Sequence, residues 1–218
     1  MLEQRIIQFL KETLSGNVDA AHDLGHLMRV ANNCKHIQKH EGGNPDIILV
    51  ASYFHDIVSL PKNAPDRHRS SQLAAQKTLT ILAEHFPEFP ARHYAAVEEA
   101  IVCHSYSANI KPSSIEAKII QDADRLDALG AVGLARTFYI AGKLNTKLFN
   151  SDDPFAEQRD LNDKEYALDH FYTKLLKLPD TMNTGEGKRL AKKRSEFLLS
   201  YIDNLRQELG LSVSFCDE

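Results

Sequence analysis

The sequence predicts an all-α fold, a helical bundle flanked by N- and C-terminal helices. Three observations carry this expectation. Apolar residues recur with helical spacing along most of the chain, no run alternates apolar and polar residues, and proline and glycine gather between the periodic stretches. The 218 residues are read as one domain spanning 1–218.

Leu2, Ile6, Ile7, Leu10 and Leu14 form one apolar stripe, ended by Ser15, Gly16 and Asn17. A second helix runs from about Asp23 to Glu41 and stops at Gly42, Gly43, Asn44 and Pro45. Pro45 and Asp46 open a third, because proline is tolerated in a first turn and a carboxylate suits a helix N-terminus. That helix, expected over Asp46 to Ser59, is apolar nearly all round and so belongs at the centre of the bundle. Further helices are expected over Ser70 to His85, Ala91 to His104 and, without a break, Ile115 to Ala141, with Gly130 and Gly133 as points of close packing. Residues 143–163 read as an exposed loop, a helix ends over Thr173 to Asp180, and an amphipathic helix runs from Gly187 to Leu209.

Composition narrows the function. Lys+Arg 26 against Asp+Glu 30 leaves a net charge of −4, which argues against nucleic acid as an obligate partner. The basic run Lys188, Arg189, Lys192, Lys193, Arg194 reads as the exposed face of the last helix, balanced by Glu186 and Glu196. Cys34, Cys103 and Cys216 are scattered and suggest neither a disulfide framework nor a thiolate metal site. The N-terminal stretch carries charges that a signal peptide would lack, and the apolar run 47–54 is far shorter than the roughly 20 residues of a membrane span. A cytoplasmic protein without a membrane partner is therefore expected.

The third helix holds an anomaly: Ser52, His55, Asp56 and Ser59 make a polar stripe on an otherwise apolar rod. A buried carboxylate demands a cation, a cluster of donors or a metal ion, and on this helix alone a hydrogen-bonded His–Asp pair would serve as well. Other segments add to it. Asp23, His26 and Arg29 stand at three-residue spacing, with His22 one turn before His26. Asp124 and Asp127 lie i, i+3 among Ile119, Ile120, Leu126 and Leu129, and Asp122 is expected to face away from Asp124. His104 shares a face with Val97, Ala100 and Ile101 and so points inward. Histidines and carboxylates gathered near apolar faces, in a chain without cysteine ligands, are accounted for by a mixed imidazole and carboxylate metal site.

His26 in HLMRV, His55-Asp56 in YFHDI and Asp124 in DADRLDA together resemble the H…HD…D signature of the HD-domain metal-dependent phosphohydrolases. With RSSQLAA at 69–75, HSYS at 104–107 and DADRLDALGAVGLAR at 122–136, the chain resembles the small stand-alone bacterial branch of YpgQ-like and YedJ-like proteins over roughly residues 20 to 205.

The resemblance implies an HD-domain bundle with its metal-binding core over about 20–140 and C-terminal helices over about 164–210. It also implies one divalent ion held by His26, His55, Asp56 and Asp124. Two imidazoles and two carboxylates suit Mn²⁺, which is favoured here, with Mg²⁺, Fe²⁺, Co²⁺, Ni²⁺ and Zn²⁺ as alternatives. The implied activity is phosphohydrolysis of nucleotides by metal-activated water, with (d)NTP cleavage to NMP and pyrophosphate leading and a nucleoside monophosphate phosphatase or phosphodiesterase as its rival. A metal- and nucleotide-binding sensor is the alternative of another class. Asp56 is expected to orient the water, and Asp127, then Asp23, to serve as outer-sphere base. Ser59, Lys62, Arg69, His104, Arg125 and Arg136 are expected to hold the substrate phosphates. The partner is thus a small phosphate compound, and the oligomeric state, a homodimer among the options, stays open.

Overall fold

The structure is a computed structural model that describes residues 1–13, 23–60, 66–106 and 108–211. Among the described residues the regular elements are α-helices and short 3-10 turns, and the β structure is a single isolated parallel bridge between Lys147 and Tyr166. The fold is all-α, as expected. Contacts divide the chain into two compact units, Met1–Asp127 with Met182–Gly187, and Ala128–Thr181 with Lys188–Glu218.

The first unit contains α1 (Leu2–Thr13), α2 (Leu24–Glu41), α3 (Pro45–Phe54), α4 (Ser70–His85), α5 (Tyr94–His104) and α6 (Ile115–Asp127). Helix α3 packs against all five others, which is what an apolar surface on every side requires. Asn44 starts it: its side chain accepts from the Asp46 and Ile47 amides, beside Pro45 in the first turn. Phe9, Phe54 and Phe86 meet edge to face, with centroids 5.8 to 6.2 Å apart, and Phe54 is fully buried.

Helix α3 is shorter than the expected span to Ser59. It ends at Phe54 because the His55 Nδ1–H donates to the Ser52 carbonyl at 2.8 Å, taking an acceptor that a continuing helix would offer to the Asp56 amide. The Ile57 amide then closes on the Phe54 carbonyl at 3.1 Å. The helix expected over Ile115–Ala141 is likewise divided. Helix α6 stops at Asp127, and α7 (Gly130–Lys143) begins at a glycine with φ of +70°. A Cβ on Gly133 would clash with the Ala128 carbonyl, so the tight entry into α7 requires a glycine there.

The second unit contains α7, α8 (Asp169–Thr173), a 3-10 turn over Leu175–Thr181 and most of α9 (Gly185–Glu208). The rings of Phe138, Phe171 and Tyr201 form its aromatic centre. The helix expected near 173–180 is this 3-10 turn, which contains Pro179. Residues 143–163 are irregular but tied down: Arg159 donates to both oxygens of Asp169 at 2.6 and 2.8 Å and lies over the Tyr166 ring. Among the described residues no helix is long and apolar enough to cross a membrane.

Residues 182–187 belong to the first unit through Asp122, which is fully buried on α6. Asp122 accepts from the Asn183 amide and side chain at 2.8 to 3.1 Å and from the Thr184 amide and hydroxyl at 2.8 and 2.7 Å. A Cβ on Gly187 would fall far inside contact distance of Asp122 Oδ2 and Thr184 Oγ1. Gly187→Ala is therefore expected to lower stability by ~1–3 kcal/mol, the usual cost of overpacking. Urea unfolding checks this, and an unchanged midpoint would contradict the close approach.

Candidate metal centre

Three histidines from three helices reach one point in the first unit. His26 lies in the first turn of α2, His55 caps the end of α3, and His104 is the last residue of α5. All three are buried, at 1%, 0% and 5% exposure. In each, Nδ1 already has an acceptor: Asp127 Oδ2 at 2.8 Å for His26, the Ser52 carbonyl at 2.8 Å for His55 and the Ile101 carbonyl at 2.6 Å for His104. A carbonyl can only accept, so the proton of His55 and of His104 sits on Nδ1, and Nε2 faces the interior of the site.

Carboxylates meet these nitrogens. His26 Nε2 lies 3.6 Å from Asp56 Oδ2 and 3.5 Å from Asp124 Oδ1. His55 Nε2 lies 3.6 and 3.8 Å from the same two oxygens, and the two Nε2 atoms are 3.2 Å apart. Ligands of one ion, bound at about 2.0–2.2 Å and at tetrahedral or right angles, stand about 3–3.6 Å from one another. His26, His55 and Asp124 present one donor atom each within 4.8 Å of the others, as do His55, Asp56 and His104, and the chemistry of both sets suits a divalent ion. His104 Nε2 lies 3.3 Å from Asp56 Oδ1, the oxygen turned away from His26 and His55.

The electrostatics arise from burial and from the carboxylates. Burial works to lower the His26 pKa, but hydrogen bonds to Asp127 and Asp56 and the charge of Asp124 outweigh it and push it up to about 9. Burial dominates at His55, whose pKa falls to about 4, so its imidazole is neutral. At His104 burial again opposes the charged form, but the Asp56 hydrogen bond and charge win and raise its pKa. Burial would raise Asp56, yet the hydrogen bonds from His104 and His26 hold it well below the usual carboxylate range.

Asp127 stands behind His26 and is only 2% exposed. Its Oδ2 accepts from His26 Nδ1 and from Arg29 Nη2 at 3.1 Å, and its Oδ1 accepts from Arg29 Nε at 2.7 Å. This geometry corrects the expected outer-sphere base: Asp127 is placed to orient His26, on the far side of the ring from the converging donors. Asp23, the second candidate base, is the exposed N-cap of α2, with Oδ1 accepting from the His26 amide at 2.8 Å.

The residues expected to hold phosphate are dispersed. Ser59 is exposed in the segment after Asp56, and Arg69 is exposed at the start of α4. Lys62, like His22, lies outside the described residues. Arg125 is next to Asp124 on α6, half-buried, with its guanidinium 5.7 Å from the centre of the Tyr106 ring, and burial lowers its pKa. Arg136 is on α7 in the second unit. Asp122 faces away from the cluster, as expected, into Asn183 and Thr184. Glu186, expected opposite the basic run on an exposed face, is instead 8% exposed. Asn183, Thr184 and Gly187 were not singled out by the sequence, although a buried Asp122 beside Asp124 implied that donors had to come from somewhere.

Residues 23–129 match the HD domain family. The YpgQ protein of Bacillus subtilis is 32% identical over 194 residues, 87% of this chain and 85% of its own length. A crystal structure of YpgQ in complex with ADP superposes with a TM-score of 0.70 at 31% identity, covering 94% of each chain. An HD-superfamily hydrolase from Bacillus thuringiensis gives a TM-score of 0.72 at 31% identity, covering 96% of this chain and 97% of its own.

Two outcomes are expected of the centre. Asp127→Asn, which leaves one acceptor oxygen where His26 and Arg29 use two and removes the charge, should weaken Mn²⁺ binding by about 10–100-fold; wild-type affinity would remove the orienting role. A cation bound to His26 Nε2 must also displace the proton that Asp127, Asp56 and Asp124 retain there. Mn²⁺ affinity should therefore rise with pH up to about 9 and level off above it. Calorimetry at pH 7 in buffers of different ionisation enthalpy should record release of about one proton per ion, and no release would contradict a protonated His26.

Proposed function

Because the chain belongs to the HD domain family and is a metal-dependent phosphohydrolase of the HD superfamily, we propose that it hydrolyses nucleotides, cutting a (d)NTP to NMP and pyrophosphate. The observation that carries the reading is that oxygens of Asp56 and Asp124 each lie 3.5 to 3.8 Å from both His26 Nε2 and His55 Nε2. That YpgQ was crystallised with ADP supports a nucleotide as the substrate class.

His26, His55, Asp56 and Asp124 would hold the ion, Mn²⁺ by preference. A divalent ion so held neutralises phosphoryl oxygens and makes water acidic enough to ionise near neutral pH. The chain's own side chains do the rest. Asp56 orients the attacking water, and His104, by holding Asp56 Oδ1, fixes the direction in which Oδ2 points. Arg29 and Asp127 keep the His26 ring in one tautomer and one orientation. Arg125, half-buried beside Asp124, offers a guanidinium to the phosphate chain, with Ser59 and Arg69 as further contacts. In the reaction water oxygen bonds to the α-phosphorus, the bond from that phosphorus to the oxygen bridging to the β-phosphorus breaks, and pyrophosphate leaves.

Incubating the protein and Mn²⁺ with a panel of nucleoside mono-, di- and triphosphates tests this. NMP and pyrophosphate in equal amounts are expected. Orthophosphate from monophosphates would replace the reading with a phosphatase, and absence of turnover with metal bound would replace it with a sensor. Asp56→Ala should lose ion and turnover together.

A further inference from the structure

A second group of metal-ligating side chains lies in the first unit, apart from the residues of the centre described above. His36 and His40 are i, i+4 neighbours on α2, with ring centroids 5.3 Å apart, so both imidazoles stand on one face of the helix. The first turn of α9 brings Glu186 to them. Its Oε1 lies 2.7 Å from His36 Nε2 and 3.9 Å from His40 Nε2, and one donor atom from each residue lies within 4.8 Å of the others. The burial is uneven: the Glu186 side chain is 7% exposed, whereas those of His36 and His40 are 47% and 55% exposed.

From this geometry we propose that His36, His40 and Glu186 form a second metal site, for a zinc-class dication, which clamps α2 to the turn that enters α9. Two imidazoles one helical turn apart and a carboxylate from another segment supply three ligands of a tetrahedral Zn²⁺ site, and the exposed side of the histidines leaves the fourth position to water. Imidazole donors favour Zn²⁺ over the harder ions. Glu186 is held for this task by its own backbone: its amide donates to Glu41 Oε1 at 2.7 Å, so the carboxylate is presented from a fixed turn. The clamp would secure residues 182–187, and with them the Asn183 and Thr184 donors that satisfy Asp122, two residues from Asp124.

Equilibrium dialysis against Zn²⁺, with metal counted by mass spectrometry, separates this site from the first. The wild-type chain should hold about one equivalent more than His36→Ala/His40→Ala, and the Zn²⁺-dependent rise in thermal midpoint should shrink in the variant. Both histidines are exposed, and His40→Ala alone keeps the His36–Glu186 hydrogen bond, so one of the two variants retains the metal-free packing. Comparing matched chains makes the result independent of whether the His26 centre is loaded. Equal Zn²⁺ content in wild type and both variants would overturn the proposal.

Discussion

An imidazole offers a lone pair on one nitrogen only when its other nitrogen carries the proton, and the centre of this protein depends on that choice being made in the same sense at His26 and His55. His55 and His104 are fixed by carbonyls one turn back in their own helices, at Ser52 and Ile101, while His26 is fixed from outside by Asp127. The two kinds of fixation differ in consequence. A neutral carbonyl leaves His55 to the desolvation that keeps it uncharged, whereas the Asp127 carboxylate draws a proton onto His26. Arg29, paired with both oxygens of Asp127, offsets part of that negative charge.

Three carboxylates on one short stretch of α6 thereby acquire three different tasks. Asp122 is filled by Asn183 and Thr184 and joins the segment 182–187 to the helix. Asp124 faces His26 and His55, with 24% of its side chain exposed. Asp127 is closed off behind His26. Their chemistry is the same, and the partners brought by other elements alone distinguish them.

How much of this was legible in the sequence depends on the range of each interaction. The centrality of α3 could be read because an apolar surface on every side is a local property of residues 45–54. The inward turn of His104 could be read from its neighbours Val97, Ala100 and Ile101. The donors His26, His55, Asp56 and Asp124 were marked by type and spacing, and the resemblance joined them. The end of α3 was not legible, since the device that stops it is a side chain of the helix's own polar stripe, His55, turning back on Ser52. The role of Asp127 was hidden for a different reason: its partners Arg29 and His26 are about a hundred residues away, and no periodicity records a pairing between helices. The same holds for Glu186, whose surroundings are set by His36 and His40 from α2 and not by the basic run just after it.

That His55 and His104 stand at the exits of their helices has a consequence for how the chain can vary in length. Each residue added to an α-helix rotates every later position by about 100° and advances it by about 1.5 Å. An insertion inside α3 or α5 would swing an imidazole off its target, while one after Asp56 or after His104 would leave both rings where they are. The lengths of the two rods ahead of the histidines are thus fixed by the rings they deliver.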